Sequence, residues 1–122
     1  MKRRTPLRQT SSLRRSRINA KKRTSAEFGR IYGSEDRVRE VKRLPCSVQG
    51  CKRTPSENAH VISGGMGRKA DWQYIAPLCH THHEERDHRL GSNAAFQAKY
   101  GVDLMAVALD LSERLNAEGE WV

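Results

Sequence analysis

Every cysteine and every histidine of this chain lies between Cys46 and His88. Cys46 and Cys51 enclose four residues, twenty-seven residues follow, and Cys79 and His82 then enclose two. Pairs of soft donors at such separations, each on a tight turn that aims both donors at one point, are how a short chain builds a closed tetrahedral zinc site. In Cys46-Ser-Val-Gln-Gly-Cys51, Gly50 relieves the backbone of the first turn. The spacing predicts a structural Zn²⁺ held by Cys46, Cys51, Cys79 and His82. His83 is the alternative fourth ligand, because both histidines fall near the start of a helix. The interval between the pairs is longer than in a simple zinc finger, so a further element must be inserted there. The competing reading makes the cysteines small buried hydrophobes and the histidines surface residues.

A staple matters because the chain has 122 residues, enough for one domain, and only 36% of them are hydrophobic. Three cysteines cannot all pair within one chain. No leader-like apolar segment opens the sequence, and no run of about 18 apolar residues crosses it. The expectation is a cytoplasmic protein with reduced thiols and no membrane partner; the oligomeric state is not legible.

Of the 23 Lys and Arg residues, ten fall within residues 1–25, where there is no Asp or Glu; the remainder of the chain holds thirteen basic and fourteen acidic residues. Such a block repels itself and cannot bury enough apolar surface to fold alone, so residues 1–24 read as a disordered basic arm ahead of a domain over 25–122. One role for it is a solvated tail. The other is counterion-releasing contact with nucleic-acid phosphates through Arg3, Arg4, Arg8, Arg14, Arg15 and Arg17, with Lys21, Lys22 and Arg23 nearer the fold.

Helical signals frame the cysteine-rich stretch. Ser25–Tyr32 reads as a short helix stopped at Gly33. Ser34 then caps a second, with Glu35 and Asp36 in its first turn, Val38, Val41 and Leu44 on one side, and Pro45 as its stop. Val61 and Ile62 predict one strand of a hairpin and Tyr74–Leu78 the other. Ser92 caps a helix ended by Gly101, and the helix from Asp103 (103–117) carries an apolar stripe of Leu104, Val107, Ala108, Leu111 and Leu115. That stripe is core, or else a surface for a partner helix. Trp72 and Trp121 read as packing residues, with contact to nucleic acid at the hairpin as the alternative for Trp72.

The glycines of Gly64-Gly65-Met66-Gly67-Arg68-Lys69 fit neither the phosphate loop of nucleoside triphosphatases nor the dinucleotide fingerprint. They predict either a plain hairpin tip or a loop that brings Arg68 and Lys69 to a nucleic-acid backbone. With His60 on the first strand and His83 at the start of a helix, a staple joining the strand ends lets both imidazoles face one groove.

Taken together, the cysteine pair, Ala59-His60 followed by two β-branched residues, "GGMGRK", "PLC", the His82-His83 pair and the later Tyr100-Gly101 resemble the HNH, or ββα-metal, endonucleases. The likeness extends to small phage-encoded members of the recombination-enhancement type and covers about residues 44–101. It implies an α+β fold with a zinc-stapled, treble-clef-like ββα-metal core and flanking helices. By position, His60 matches the histidine that activates water, and His83 the one that holds a catalytic divalent cation, Mg²⁺ or Mn²⁺. His82 stands where relatives place the last zinc-binding cysteine. Five residues before Cys79, where many relatives have Asn, the chain has Tyr74; Asp71 is the nearest polar candidate for that role. Ala59 replaces the Asp or His common before the first motif histidine, so the cation takes another ligand from Asp71, Asp87 or His88, or else keeps more water.

These readings make the chain a DNA endonuclease, phage-encoded and linked to recombination or DNA processing in the host cytoplasm, with a recombinase filament as a possible partner by resemblance. The rivals are a non-catalytic zinc module that only binds nucleic acid, and an adaptor that uses the C-terminal stripe.

Overall fold

The computed structural model describes residues 24–62 and 69–122. The basic arm, including Lys21, Lys22 and Arg23, and the loop residue Arg68 lie outside the described residues.

Two capped helices open the fold. Helix α1, Ser25–Tyr32, starts at Thr24, whose hydroxyl accepts from the Glu27 N–H, and ends at Gly33 with φ of +87°. A side chain there would also collide with the Ala117 carbonyl and Arg37. Helix α2, Glu35–Arg43, is capped by Ser34, whose hydroxyl accepts from the Arg37 N–H. Val41 is fully buried on its inner face, and the chain leaves the helix at Leu44, ahead of Pro45.

The sheet is a two-stranded antiparallel ribbon of β1, Glu57–His60, and β2, Ile75–Leu78, with Glu57 opposite Leu78 and His60 opposite Ile75. The first strand thus runs over Glu57–His60, earlier than the β-branched pair Val61-Ile62 suggests. Buried Ser56 sets that position: its N–H donates to the Lys42 carbonyl and its hydroxyl to the Leu44 carbonyl, pinning the strand's start to the end of α2. Val61 adds one more rung, its N–H donating to the Tyr74 carbonyl. The return begins with a single 3₁₀ turn, Trp72–Tyr74.

Strand β2 is buried along its whole length, so it reads as a continuous apolar run rather than an alternating one. After it come α3, His80–Glu84, and a π-helical turn, Glu85–Leu90, closed by Gly91 in the left-handed region. Helix α4, Asn93–Tyr100, is capped by Ser92, and α5, Leu104–Arg114, by Asp103. Of the predicted stripe, Leu104, Ala108, Leu111 and Leu115 are buried and Val107 is partly so, packed against Leu78, Ile75 and Phe96 in the core. Each large aliphatic side chain so buried contributes about 1.5–3 kcal/mol. Trp72 packs in this core, but Trp121 is 53% exposed, with a backbone bridge to Leu115. Among the described residues, no helix is long and apolar enough to cross a membrane.

Candidate metal centre and adjoining groove

Two turns deliver the soft donors. The Cys51 N–H donates to the Val48 carbonyl, with Gly50 at φ of +85°, so Cys46 and Cys51 are folded back on one another. Ser47 lashes this knuckle to β2 through both its N–H and its hydroxyl, which donate to the Pro77 carbonyl at 2.9 and 2.6 Å. Cys79 is the N-cap of α3, one turn ahead of His82. The ligand atoms of Cys46, Cys51, Cys79 and His82 consequently lie within 4.8 Å of one another.

His82 Nδ1 is 3.2 Å from Cys79 Sγ and 3.4 Å from Cys46 Sγ, and the Cys51 and Cys79 sulfurs are 3.9 Å apart. Tetrahedral zinc with ordinary bond lengths separates two sulfurs by about 3.8 Å and a sulfur and nitrogen by about 3.5 Å. Burial pushes the Cys46 thiol up to about 11, whereas the Arg53 backbone N–H draws the Cys51 thiol below its ordinary value. A buried thiol of that kind ionises readily only against a cation. The four residues therefore form a group able to hold a metal such as zinc. His82 is the histidine that joins them; His83 points elsewhere. The Tyr100 ring meets the His82 ring edge-on at 5.1 Å, and the Tyr100 hydroxyl is tied to Glu85, which Lys99 also engages.

Beside this centre lies a groove of about 650 Å³ whose lining includes His60, His83, Asp87, Asn58, Asn93 and Lys69. It is built between the end of β1 and the α3 segment. His60 Nε2 is 2.8 Å from the Ile31 carbonyl of α1. A carbonyl only accepts, so Nε2 carries the hydrogen, and in the neutral ring the lone pair is on Nδ1. His83 is flanked on both sides by carboxylates: Glu57 Oε1 at 2.7 Å from Nδ1 and Asp87 Oδ2 at 3.1 Å from Nε2.

The other oxygen of Glu57 receives His80 Nδ1 at 3.0 Å. Burial alone raises the Glu57 carboxyl, but the hydrogen bonds from His83 and His80 outweigh it and hold that carboxyl below its usual range. The same contact raises exposed His80 above its ordinary value.

Arg86 and Asn93 latch the groove. Arg86 donates to the His60 and Val61 carbonyls at 3.3 and 2.7 Å and to Asn93 Oδ1 at 2.8 Å, while the Asn93 amide donates to the Val61 carbonyl. The end of β1 is thereby fixed to the π-helical turn and to α4.

The sequence-predicted residues divide accordingly. His60, His83, Asp87 and Lys69 share the groove. Asp71 does not: its carboxylate pairs with Arg30 at 3.1 Å, about half exposed, and it is absent from the groove lining. His88 is exposed on the π-helical turn and is likewise no part of that lining. Glu57, Asn58, Arg86 and Asn93 are not legible in the sequence as site residues. Glu57 precedes His60 by three residues and shares its strand, which is the one signal pointing to it.

A relative in Escherichia coli (strain K12), the uncharacterized protein YdfU, is 35% identical over 79 residues, 62% of this chain and 21% of the relative. The match spans about a fifth of that relative's length. No solved structure matches. Residues 28–116, which include the cysteine centre and the groove, match the family described as protein of unknown function (DUF968), and the chain belongs to that family.

Proposed function

We propose that this DUF968 domain is a metal-dependent endonuclease of the HNH, or ββα-metal, kind that hydrolyses phosphodiester bonds of DNA. The observation that carries the reading is the pairing of His60 and His83 across one groove, next to a Cys₃His group that fastens the strand ends. Structural zinc at Cys46, Cys51, Cys79 and His82 holds the shape, and the groove performs the chemistry.

Hydrolysis requires a water to lose a proton as it attacks phosphorus and the P–O3′ bond breaks. His60, with its hydrogen committed to the Ile31 carbonyl at Nε2, takes that proton at Nδ1. His83 and Asp87 are the residues that would hold a divalent ion. Their donor atoms are 3.1 Å apart, and neighbouring ligands on an octahedral ion with ~2.1 Å bonds are about 3 Å apart. One imidazole and one carboxylate suit Mn²⁺ as well as Mg²⁺. When bound, the ion supplies positive charge for the scissile phosphate and the departing 3′-oxygen.

Glu57 fixes the His83 tautomer so that Nε2 faces Asp87. Arg86 keeps the His60 carbonyl in place, and Asn93 holds the neighbouring Val61 carbonyl. Lys69 and the basic arm supply attraction for the phosphate backbone. Recombination or other DNA processing, in a phage-infected cell's cytoplasm, is the setting that the resemblance implies.

A non-catalytic, nucleic-acid-binding module is the second reading, favoured by the closed ion-pair chain Glu57–His83–Asp87, which satisfies His83 without a metal. Supercoiled plasmid incubated with zinc-loaded protein distinguishes them. The nuclease reading expects nicking with Mg²⁺ or Mn²⁺, none with EDTA, and none from His60→Ala. Binding without cleavage under every condition supports the second reading.

A further inference from the structure

A second cavity of about 430 Å³ adjoins the groove and shares Asn58, Lys69 and His83 with it. Among the described residues, its remaining lining is Phe28, Tyr32, Val38, Lys42 and Glu57. Helix α1 places Phe28 and Tyr32 one turn apart on the same face, with ring centroids 5.2 Å from each other. The Tyr32 ring continues to His60, which it meets edge-on at 5.3 Å. An aromatic wall therefore runs from the second cavity to the imidazole of the groove.

Charge frames that wall. Lys69 Nζ lies 3.0 Å from the Tyr32 hydroxyl, and Lys42 lines the cavity from α2. The Glu57 carboxylate, which engages His80 and His83, lines the same cavity as the two lysines. Asn58 stands at the junction, and its side-chain oxygen is buried with no hydrogen-bond partner among the described residues. Buried acceptors are rarely left so.

We infer that this cavity is a stacking subsite for one unpaired nucleobase, next to the phosphate held in the groove. The inference rests on the nucleic-acid reading and adds to it the substrate class: DNA with a nucleotide splayed out or single-stranded beside the bond to be cut. A paired base cannot enter, because its faces are covered by its neighbours in the duplex. An unpaired one offers a π-face to Phe28 and Tyr32 and its flanking phosphates to Lys42 and Lys69. Base-on-aromatic stacking tolerates any sequence, so the subsite selects for an unpaired base rather than for a particular one.

The test is binding by the full-length, zinc-loaded His60→Ala protein to an oligonucleotide carrying 2-aminopurine, single-stranded or as a duplex of the same sequence, followed by fluorescence. Added in that background, Phe28→Ala and Tyr32→Ala should each weaken single-strand binding on the order of tenfold and abolish the 2-aminopurine response, with little change for duplex. Phe28→Leu keeps the apolar bulk and loses the stacking face, so it carries the test if Phe28→Ala does not fold. Equal losses on both DNA forms, or no loss on either, would overturn the subsite and make the aromatic wall part of the fold. Cleavage is scored separately, in the protein that retains His60. Nicking by the wild type with single-strand binding indifferent to Phe28 removes this inference alone, whereas selective stacking without nicking removes the nuclease reading alone.

Discussion

Glu57 Oε1 stands 2.7 Å from His83 Nδ1, and it comes from the same short strand that presents His60 three residues later. One strand thus supplies the imidazole assigned to the water and the carboxylate that orients the imidazole assigned to the cation. Partners that orient a metal-binding histidine in this way change metal affinity by about 10–100-fold. Glu57→Gln, which keeps the shape but accepts a hydrogen bond more weakly, should raise the Mn²⁺ concentration for half-maximal nicking by about tenfold, with kcat at saturating Mn²⁺ nearly unchanged. A fall in kcat with no shift in the Mn²⁺ requirement would contradict the orienting role.

The zinc staple predicts a folding phenotype. Cys79 caps α3, sits at the end of β2, and touches both Cys51 and His82, so its loss disconnects the knuckle from the helix. Cys79→Ser should lose stoichiometric zinc and its cooperative melting transition, and a strong chelator should do the same to the wild type. Metal analysis and circular dichroism provide the check. A wild-type protein that melts cooperatively with no metal would eliminate the staple.

How much of the molecule is legible in its sequence depends on whether the signal is local. Ser34, Ser92 and Asp103 each mark a helix start by offering an oxygen to an N–H three residues on, and each does so here. The Cys₃His group is readable because ligand spacing restricts the backbone, and His82 separates from His83 only once α3 sets their directions. Strand β1 escapes a local reading because Val61 and Ile62 carry the β-propensity, while its start is set by the hydrogen bonds of Ser56 to the distant end of α2. Asp71 suggests itself by its proximity in sequence to Tyr74. Arg30, more than forty residues away along the chain, claims it. Arg86 and Asn93 give no signal, since a latch onto backbone carbonyls has no residue pattern of its own.

That latch is itself testable. Asn93→Ala removes the amide that donates to the Val61 carbonyl and the oxygen that receives Arg86, leaving a part-buried guanidinium underpaired. Stability to urea should fall by about 1–3 kcal/mol, with zinc retained, because the Cys₃His group lies on other elements. If nicking is measured well below the unfolding transition, it should also fall, as the His60 backbone loosens. Unchanged stability would mean that Arg86 alone secures the strand.

The basic arm is tested by salt. Deleting residues 1–24 removes ten positive charges, and every phosphate that the protein no longer neutralises takes about 0.9 off the slope of log affinity against log salt on duplex DNA. The truncated protein should bind DNA more weakly at low salt and show a slope flatter by several units, with its melting transition kept. An unaltered slope would assign the arm to some other task.

Arg37 makes the sharpest stability prediction. It is fully buried under the C-terminal turn, its guanidinium 5.0 Å over the Trp72 ring, and its three side-chain nitrogens have no hydrogen-bond partner among the described residues. Burial lowers its pKa to about 10. Since an unpaired buried charge costs more than an apolar side chain of similar volume, Arg37→Met should stabilise the domain by about 1–3 kcal/mol at pH 7, seen as a Tm higher by several degrees. The pH dependence carries a definite sign. Between about 10, the folded value, and the higher ordinary value of arginine, the unfolded chain binds more protons than the folded one, so this residue's contribution to stability rises with pH. The advantage of Arg37→Met over wild type should therefore be full below pH 10 and shrink above it. A variant less stable than wild type at pH 7 would show that the cation–π contact with Trp72 outweighs the cost of burying the charge.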